Sequence, residues 1–393
     1  MQGGVKLKNK NNFKGENKMS EEMKNLNEQP EQAPVEKNEV KKPLDKKTIG
    51  IIAAAAAVVV LVLVLVLTLG GKKEYTLGMG VITGFEDGKA QVNSTVATVV
   101  LDKNGKIVAC RLDAVQCQAT LNEDGTYTVG NLKTKMELGD DYNMSKFGAS
   151  MDWNKDGVVK EWYEQAKAFE AHVVGMTVTE VEAMGTQKLE SGYVISNDEA
   201  LLSAGCTIQI DEFKAAVAKA CKDAQSVTFK AKKFTLGVAV DSYDSESSVA
   251  TADKEGALQL YSDFAASVVV DGKIVASIND AVQPKITFNN KGEITGTSFK
   301  ATKRELKEDY NMSKFGASMD WNKDGVVKEW YLQSAAFSAH VVGMTADEVK
   351  AMGTQNLESG YVISNDDALL SAGCTIQITG LKAVVAESVA NAR

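Results

Sequence analysis

Proline is scarce here: of four, Pro30, Pro34 and Pro43 lie in the first 48 residues, and only Pro284 lies beyond them. Histidine is scarcer, with His172 and His340 alone in 393 residues and no H-E-x-x-H frame around either. That removes the zinc-hydrolase pattern. Five cysteines include no C-x-x-C pair, which leaves dithiol redox chemistry and c-type haem attachment without support. No G-x-S-x-G, P-loop or protease-type Cys–His pattern occurs, so hydrolase and kinase chemistry have no residues to rest on. The net charge is −8; the first 48 residues carry about +3 and the remainder about −11. An acidic body argues against nucleic acid or anionic lipid as partner.

What is present begins with Ile49–Leu69, an uncharged run of about 21 residues dominated by Ala, Val and Leu. Crossing a bilayer core takes ~20, and a helix lying on the surface would need a polar face, which this run lacks. Lys37, Lys41, Lys42, Lys46 and Lys47 precede it, and only Lys72 and Lys73 follow closely. The positive-inside rule then places the N-terminus in the cytoplasm and the main body outside the cell membrane. A cleaved signal peptide would have a shorter apolar core, ~7–15 residues, and an A-x-A-like site after it; neither is found. Residues 1–48 are too polar to build a core and are expected to form a disordered cytoplasmic tail. Lys14-Gly15-Glu16 is encodable as a ribosome-binding site, so Met19 is an alternative start to Met1.

The outer portion repeats itself. Residues 141–210 and 309–378 match at an offset of 168, with 61 of 70 positions identical. Their shared text includes DYNMSKFGASMDWNKDGVVKEWY and ALLSAGCTIQI. YTLGMGV at Tyr75 and FTLGVAV at Phe234 align more loosely, as do the two GKIVA segments at Gly105 and Gly272. Two copies are too few for a solenoid, and the spans 74–224 and 225–393 read as two tandem domains. Within each copy Val96–Leu101, Lys106–Arg111 and Gly192–Ser196 read as strands bounded by turn residues. Val159, Trp162, Ala166, Phe169 and Val173 keep helical spacing, with Gly175 closing the helix. Thr177–Glu180 and Thr345–Glu348 are capping boxes, and amphipathic helices run from Asp211 to Asp223 and from Leu381 to Asn391. Strands first and helices later predict an α+β fold, helices packed on an antiparallel sheet.

Several residues invite a chemical reading. Asp152, Asn154 and Asp156, repeated as Asp320, Asn322 and Asp324, follow the D-x-N-x-D-G pattern of a calcium loop, with oxygens at alternate positions and Gly at the turn. Tyr163 or Tyr331 stands where the bidentate Glu belongs, and the nearest acid is Glu161 or Glu329. A polar turn leading into a helix explains the same residues, and both readings stay open. Cys110 and Cys117 are replaced together, by Ser277 and Pro284, which suits either one disulfide or two free thiols. Cys221 reads as a helix core residue. His172 and His340 suit a helix C-terminus, where the dipole favours them. Trp162 and Trp330 read as core, whereas Trp153 and Trp321 fall in the loop.

The end of each copy is similar to a known family. Ser203-Ala204-Gly205-Cys206-Thr207-Ile208, leading into the helix at Asp211, resembles the S-G-A-T-x-T-S segment and following helix of the FMN-binding domain family. DGKIV at Asp271 and the anchored, outward-facing layout are similar too. The resemblance implies an FMN site at Gly205, Cys206 and Thr207 and at Gly373, Cys374 and Thr375, with Thr207 and Thr375 able to bear the flavin through a phosphoester. It implies work with membrane electron-transfer proteins of the quinone or flavin type. The pattern departs at Leu201 and Leu369, where the family has Asp; the nearest acids are Glu199 and Asp367. The expectation is therefore a membrane-anchored extracytoplasmic binding module without established chemistry, with a flavin-binding electron-transfer protein as the alternative.

Overall fold

Each copy opens on Val-, Ala- and Thr-rich stretches cut by polar turns, and the β-branched residues among them suit a pleated, buried surface. The structure, a computed structural model, describes residues 71–148, 159–298, 301–316 and 327–393. In the first copy these stretches are β1 (Lys73–Phe85), β2 (Gln91–Asp102), β3 (Ile107–Leu121) and β4 (Tyr127–Val129). Helices follow: α1 (Lys135–Leu138), α2 (Met144–Gly148), α3 (Trp162–His172) and α4 (Val178–Glu182). A small hairpin, β5 (Thr186–Lys188) and β6 (Val194–Ser196), leads to α5 (Glu199–Ser203) and α6 (Asp211–Asp223). The second copy repeats the order: β7 (Val227–Ala231), β8 (Thr235–Asp244), β9 (Gly256–Val270), β10 (Lys273–Val282), β11 (Lys285–Phe288) and β12 (Ile294–Ser298). Its helices are α7 (Lys303–Leu306), α8 (Met312–Gly316), α9 (Trp330–His340) and α10 (Ala346–Lys350). The hairpin β13 (Thr354–Asn356) and β14 (Val362–Ser364) precedes α11 (Asp367–Ser371) and α12 (Thr379–Ala390).

The fold is α+β, and the large sheets are antiparallel. One runs β4-β3-β2-β1-β7; the other runs β10-β9-β11-β12, with β8 also on β9. β7 follows the first copy's last helix and pairs with β1, from Leu77↔Val227 to Lys73↔Ala231.

The two sheets share a core. Leu77, Val96 and Val100 from the first and Phe264, Val268 and Ile278 from the second belong to one buried cluster. The opposite face of each sheet meets its own helices. Ala97, Val99 and Leu112 pack with Phe169, Phe213 and Val217; Ala265 and Ile274 pack with Trp330, Phe337 and Val384. The layers therefore run helix, sheet, sheet, helix. A strand buried on both faces reads as a continuous apolar run rather than an alternating one, which accounts for Val96–Leu101. Close approach of helix to sheet needs glycine: a Cβ at Gly78 would overlap the Ala220 carbonyl oxygen, and one at Gly237 the Ser388 carbonyl oxygen.

Local expectations hold well. Both capping boxes form, with the Thr177 and Thr345 hydroxyls accepting from Glu180 and Glu348 N–H. α6 spans Asp211–Asp223 as the periodicity predicts, and Trp162, Trp330 and Cys221 are core residues. The cysteine alternatives resolve: all five thiols are free and buried. Cys110 faces the helical layer and Cys117 the layer between the sheets. They stand an odd number of residues apart on one strand, so the pleat points them to opposite faces. Among the described residues no helix is long and apolar enough to cross a membrane. The run Ile49–Leu69, the N-terminal tail, Trp153, Trp321 and the calcium-loop residues Asp152, Asn154, Asp156, Asp320, Asn322 and Asp324 lie outside the described residues.

Candidate functional site

The Gly-Cys-Thr segments sit where α5 and α11 end. Gly205 and Gly373 take φ of 90° and 85°, a left-handed conformation that glycine adopts at helix C-termini. Gly205 N–H donates to the Leu202 carbonyl at 2.9 Å, as Gly373 N–H does to Leu370. The Lys160 side chain crosses Gly205 and donates to the Ala204 carbonyl at 2.8 Å; Lys328 does the same over Gly373 to Ala372 at 2.7 Å. Cys206 and Cys374 are fully buried, and burial pushes each thiol up to about 12. A thiol so shifted carries almost no thiolate at neutral pH and is not a nucleophile.

Thr207 and Thr375 are half-buried, and their donors are already engaged. Gln165 Oε1 accepts from Thr207 N–H at 2.8 Å, from Ile208 N–H at 3.1 Å and from the Thr207 hydroxyl at 3.3 Å. Its amide nitrogen donates to the Lys160 carbonyl at 2.7 Å. Gln333 repeats the arrangement with Thr375 N–H at 2.8 Å and its hydroxyl at 3.2 Å. Both glutamines are completely buried. The backbone donors that would meet a phosphate are thus filled from within the protein. In the first copy the helix that follows also opens on Asp211 and Glu212, which takes the favourable field of its N-terminus for the protein's own carboxylates. These residues do not fit an FMN phosphate without expelling Gln165 or Gln333.

Glu161 and Glu329, the acids nearest the calcium-loop pattern, are likewise committed. The Glu161 carboxylate accepts from Met144 N–H at 2.8 Å, from Ser145 N–H at 3.2 Å and from the Ser145 hydroxyl. Glu329 holds Met312 and Ser313 in the same way. Among the described residues no group of three or more His, Cys, Asp or Glu side chains is placed to hold a metal ion. His172 and His340 end α3 and α9 as expected, each with Nε2 3.6 Å from a carboxylate oxygen, of Asp198 or Asp366.

A second arrangement has no counterpart in the sequence motifs: a lysine in an aromatic box. Lys135 Nζ lies 4.8 Å from the Tyr142 ring centre and 5.4 Å from that of Trp162. Lys303 Nζ lies 4.7 Å from Tyr261, 4.6 Å from Tyr310 and 5.3 Å from Trp330. These are cation–π distances. Burial lowers Lys135 to about 8, opposed by attraction first to Glu212 and then to Asp113. Burial also lowers Lys303, opposed by Asp263 and Asp280.

The principal counter-charge comes from different layers in the two copies. In the first, Glu212 on α6 supplies it and accepts from the Thr95 hydroxyl at 2.8 Å. In the second, the residue in the place of Glu212 is Gly380 and the residue in the place of Thr95 is Asp263. The strand registers establish the second equivalence: Thr95 lies opposite Ala114, and Asp263 opposite Ala281. A side chain at Gly380 would strike the Asp263 carboxylate. The carboxylate that attracts the lysine most strongly thus sits on a helix in one copy and on a strand in the other, and each offsets part of the cost of burying an ammonium. Aligning the copies at 95/263 and 212/380 would have exposed this exchange; no spacing motif does. Comparison with family models, with curated proteins and with solved structures gave no match to this chain.

Proposed function

We propose that the chain is a membrane-anchored, extracytoplasmic binding module related to FMN-binding domains, without established chemistry. The carrying observation is the pair of buried glutamines. Gln165 and Gln333 occupy the N–H and hydroxyl donors of Thr207 and Thr375, so the segment that would seat a flavin phosphate serves as a joint between helices. The buried, high-pKa Cys206 and Cys374 point the same way. Anchorage rests on the apolar run Ile49–Leu69 and its lysine-rich cytoplasmic flank.

The test is direct. Full-length protein purified in detergent micelles should be colourless, with no flavin band near ~450 nm, and should take up no added FMN. It should partition with membranes and expose its C-terminal body to protease added from outside intact cells. A bound flavin, or FMN uptake abolished by Thr207→Val with Thr375→Val, would overturn the reading in favour of electron transfer.

A further inference from the structure

The two copies differ at nine of the 70 aligned positions, and four of the nine fall on one helix. Glu164, Ala166, Lys167 and Glu170 of α3 become Leu332, Ser334, Ala335 and Ser338 of α9. Three of these replacements line a cavity of about 330 Å³ between α9 and β10. On the strand side Ser277 and Asn279, also lining it, replace Cys110 and Leu112. In the first copy the same place is closed. Cys110 and Leu112 are fully buried. Glu170 takes Leu112 N–H at 2.9 Å and the Arg393 guanidinium at 2.7 Å, while Arg111 donates to the Arg393 carbonyl oxygen.

The second-copy cavity is incompletely satisfied. Ser277 and Asn279 are 3% and 1% exposed, yet Ser277 Oγ and Asn279 Oδ1 have no hydrogen-bond partner. The Asn279 amide nitrogen, by contrast, donates to Ser338 Oγ at 2.7 Å, and Ser334 Oγ donates to the Asn279 carbonyl at 3.1 Å. Leaving two buried polar atoms unpaired is destabilising, whereas a ligand that pairs them recovers the loss. The one charged residue on the wall, Arg304, is spent on Asp223, at 3.0 and 3.3 Å. Val275, Ala339 and Val342 give part of the remaining wall an apolar character, and Ser226 and Thr228 add hydroxyls at its edge. The volume is at the low end of the roughly 300–1,000 Å³ of small-molecule sites.

We infer that this second-copy cavity binds a small uncharged ligand with a hydrogen-bond donor beside an acceptor, of the acetamido-sugar class. An acetamido N–H supplies the donor that Asn279 Oδ1 lacks, its carbonyl accepts from the Ser277 hydroxyl, and its methyl suits the valine and alanine wall. This rests on the reading of the chain as a binding module and names one site of that module.

Isothermal titration of the full-length protein in detergent micelles, with N-acetylglucosamine as the probe and glucose and glucuronate beside it, tests the inference. N-acetylglucosamine should bind, glucose more weakly, and anionic glucuronate not at all. Asn279→Leu, which carries the first copy's residue into the second, should weaken binding at least tenfold. Ser277→Ala, smaller than the native residue, should also weaken it and decides the matter if Asn279→Leu does not fold. Absence of binding by both neutral sugars overturns the inference, as does glucuronate binding as tightly as N-acetylglucosamine. Sugar binding unchanged in folded Ser277→Ala and Asn279→Leu also overturns it, but leaves a binding module with its site elsewhere. A bound flavin would instead strike the broader reading and leave the cavity result intact.

Discussion

In the first copy the groove between α3 and β3 is closed by Glu170, Arg111 and Arg393, and the boxed lysine is attracted most strongly by a carboxylate on a helix. In the second copy the matching groove is a cavity lined by serines and an asparagine, and the boxed lysine is attracted most strongly by a carboxylate on a strand. Near-identical text has therefore been finished in two ways. The glutamine joint at Gln165 and Gln333 recurs with one N–H bond fewer in the second copy, and the caps at Thr177 and Thr345 recur in both, so the copies largely agree where the frame is held. They differ where charge is buried and where space is left. The frame tolerates a carboxylate moving between layers, provided that the lysine keeps a partner.

The largest effect should come from breaking that partnership. Asp263→Thr, which puts the first copy's residue on β9, leaves Lys303 without its principal counter-charge and should cost about 3–5 kcal/mol. Adding Gly380→Glu rebuilds the first copy's arrangement and should recover most of the loss, since Asp263→Thr also removes the carboxylate oxygen that a side chain at 380 would strike. Urea unfolding of the single and double variants measures both; a double variant no more stable than Asp263→Thr would break the equivalence of the two boxes.

A smaller and graded effect belongs to the joints. Gln165→Leu strands two N–H groups and a hydroxyl, Gln333→Leu one N–H and a hydroxyl. At about 1–3 kcal/mol for each buried donor left unpaired, the first substitution should destabilise more than the second, as read by denaturant midpoints. Equal losses would mean that the two joints are alike in energy.

The smallest effect is in pH dependence. Asp113 and Asp280 are pushed up to about 7 and about 6 by burial, against ~4 for an unfolded aspartate. Between those values the native state keeps protons that the unfolded chain has released. Their contribution is full below pH ~4 and is lost as pH rises through the native values. Lys135, lowered to about 8, acts in the opposite sense, adding stability only as pH climbs from there towards the ~10.4 of an unfolded lysine. Melting should therefore come a few degrees higher at pH 5 than at pH 7.5. Asp113→Asn keeps an oxygen for the Ala114 and Met136 N–H groups and should flatten the first copy's share. A melting temperature that rises from pH 5 to 7.5 in the wild type would contradict these buried carboxylates.

Much of the frame was legible because it is local. A Thr three residues before a Glu makes a capping box whatever surrounds it, and α6 follows from the spacing of Phe213, Ala216, Val217 and Ala220. The likeness to the Gly-Cys-Thr motif located a real turn, with Gly205 and Gly373 at positive φ, but the motif gave no sign of the side chain that fills it. Gln165 and Gln333 lie more than 40 residues upstream; the available signal was that both stayed Gln while their neighbours at 164, 166 and 167 changed. The free state of Cys110 and Cys117 was implicit in their odd spacing, once both were known to lie on one strand.

By itself, then, the sequence determined the duplication, the α+β order of elements, the caps and the turns, because each depends on residues within a few positions of one another. Only the tertiary structure decided which donors remain free and which carboxylate faces which lysine. It also decided that the two sheets share a core and that one groove is closed while its twin is open. Those outcomes depend on burial and on contacts between segments far apart in the chain, where a hydroxyl, an amide or a charge acquires its energy from whatever excludes water around it.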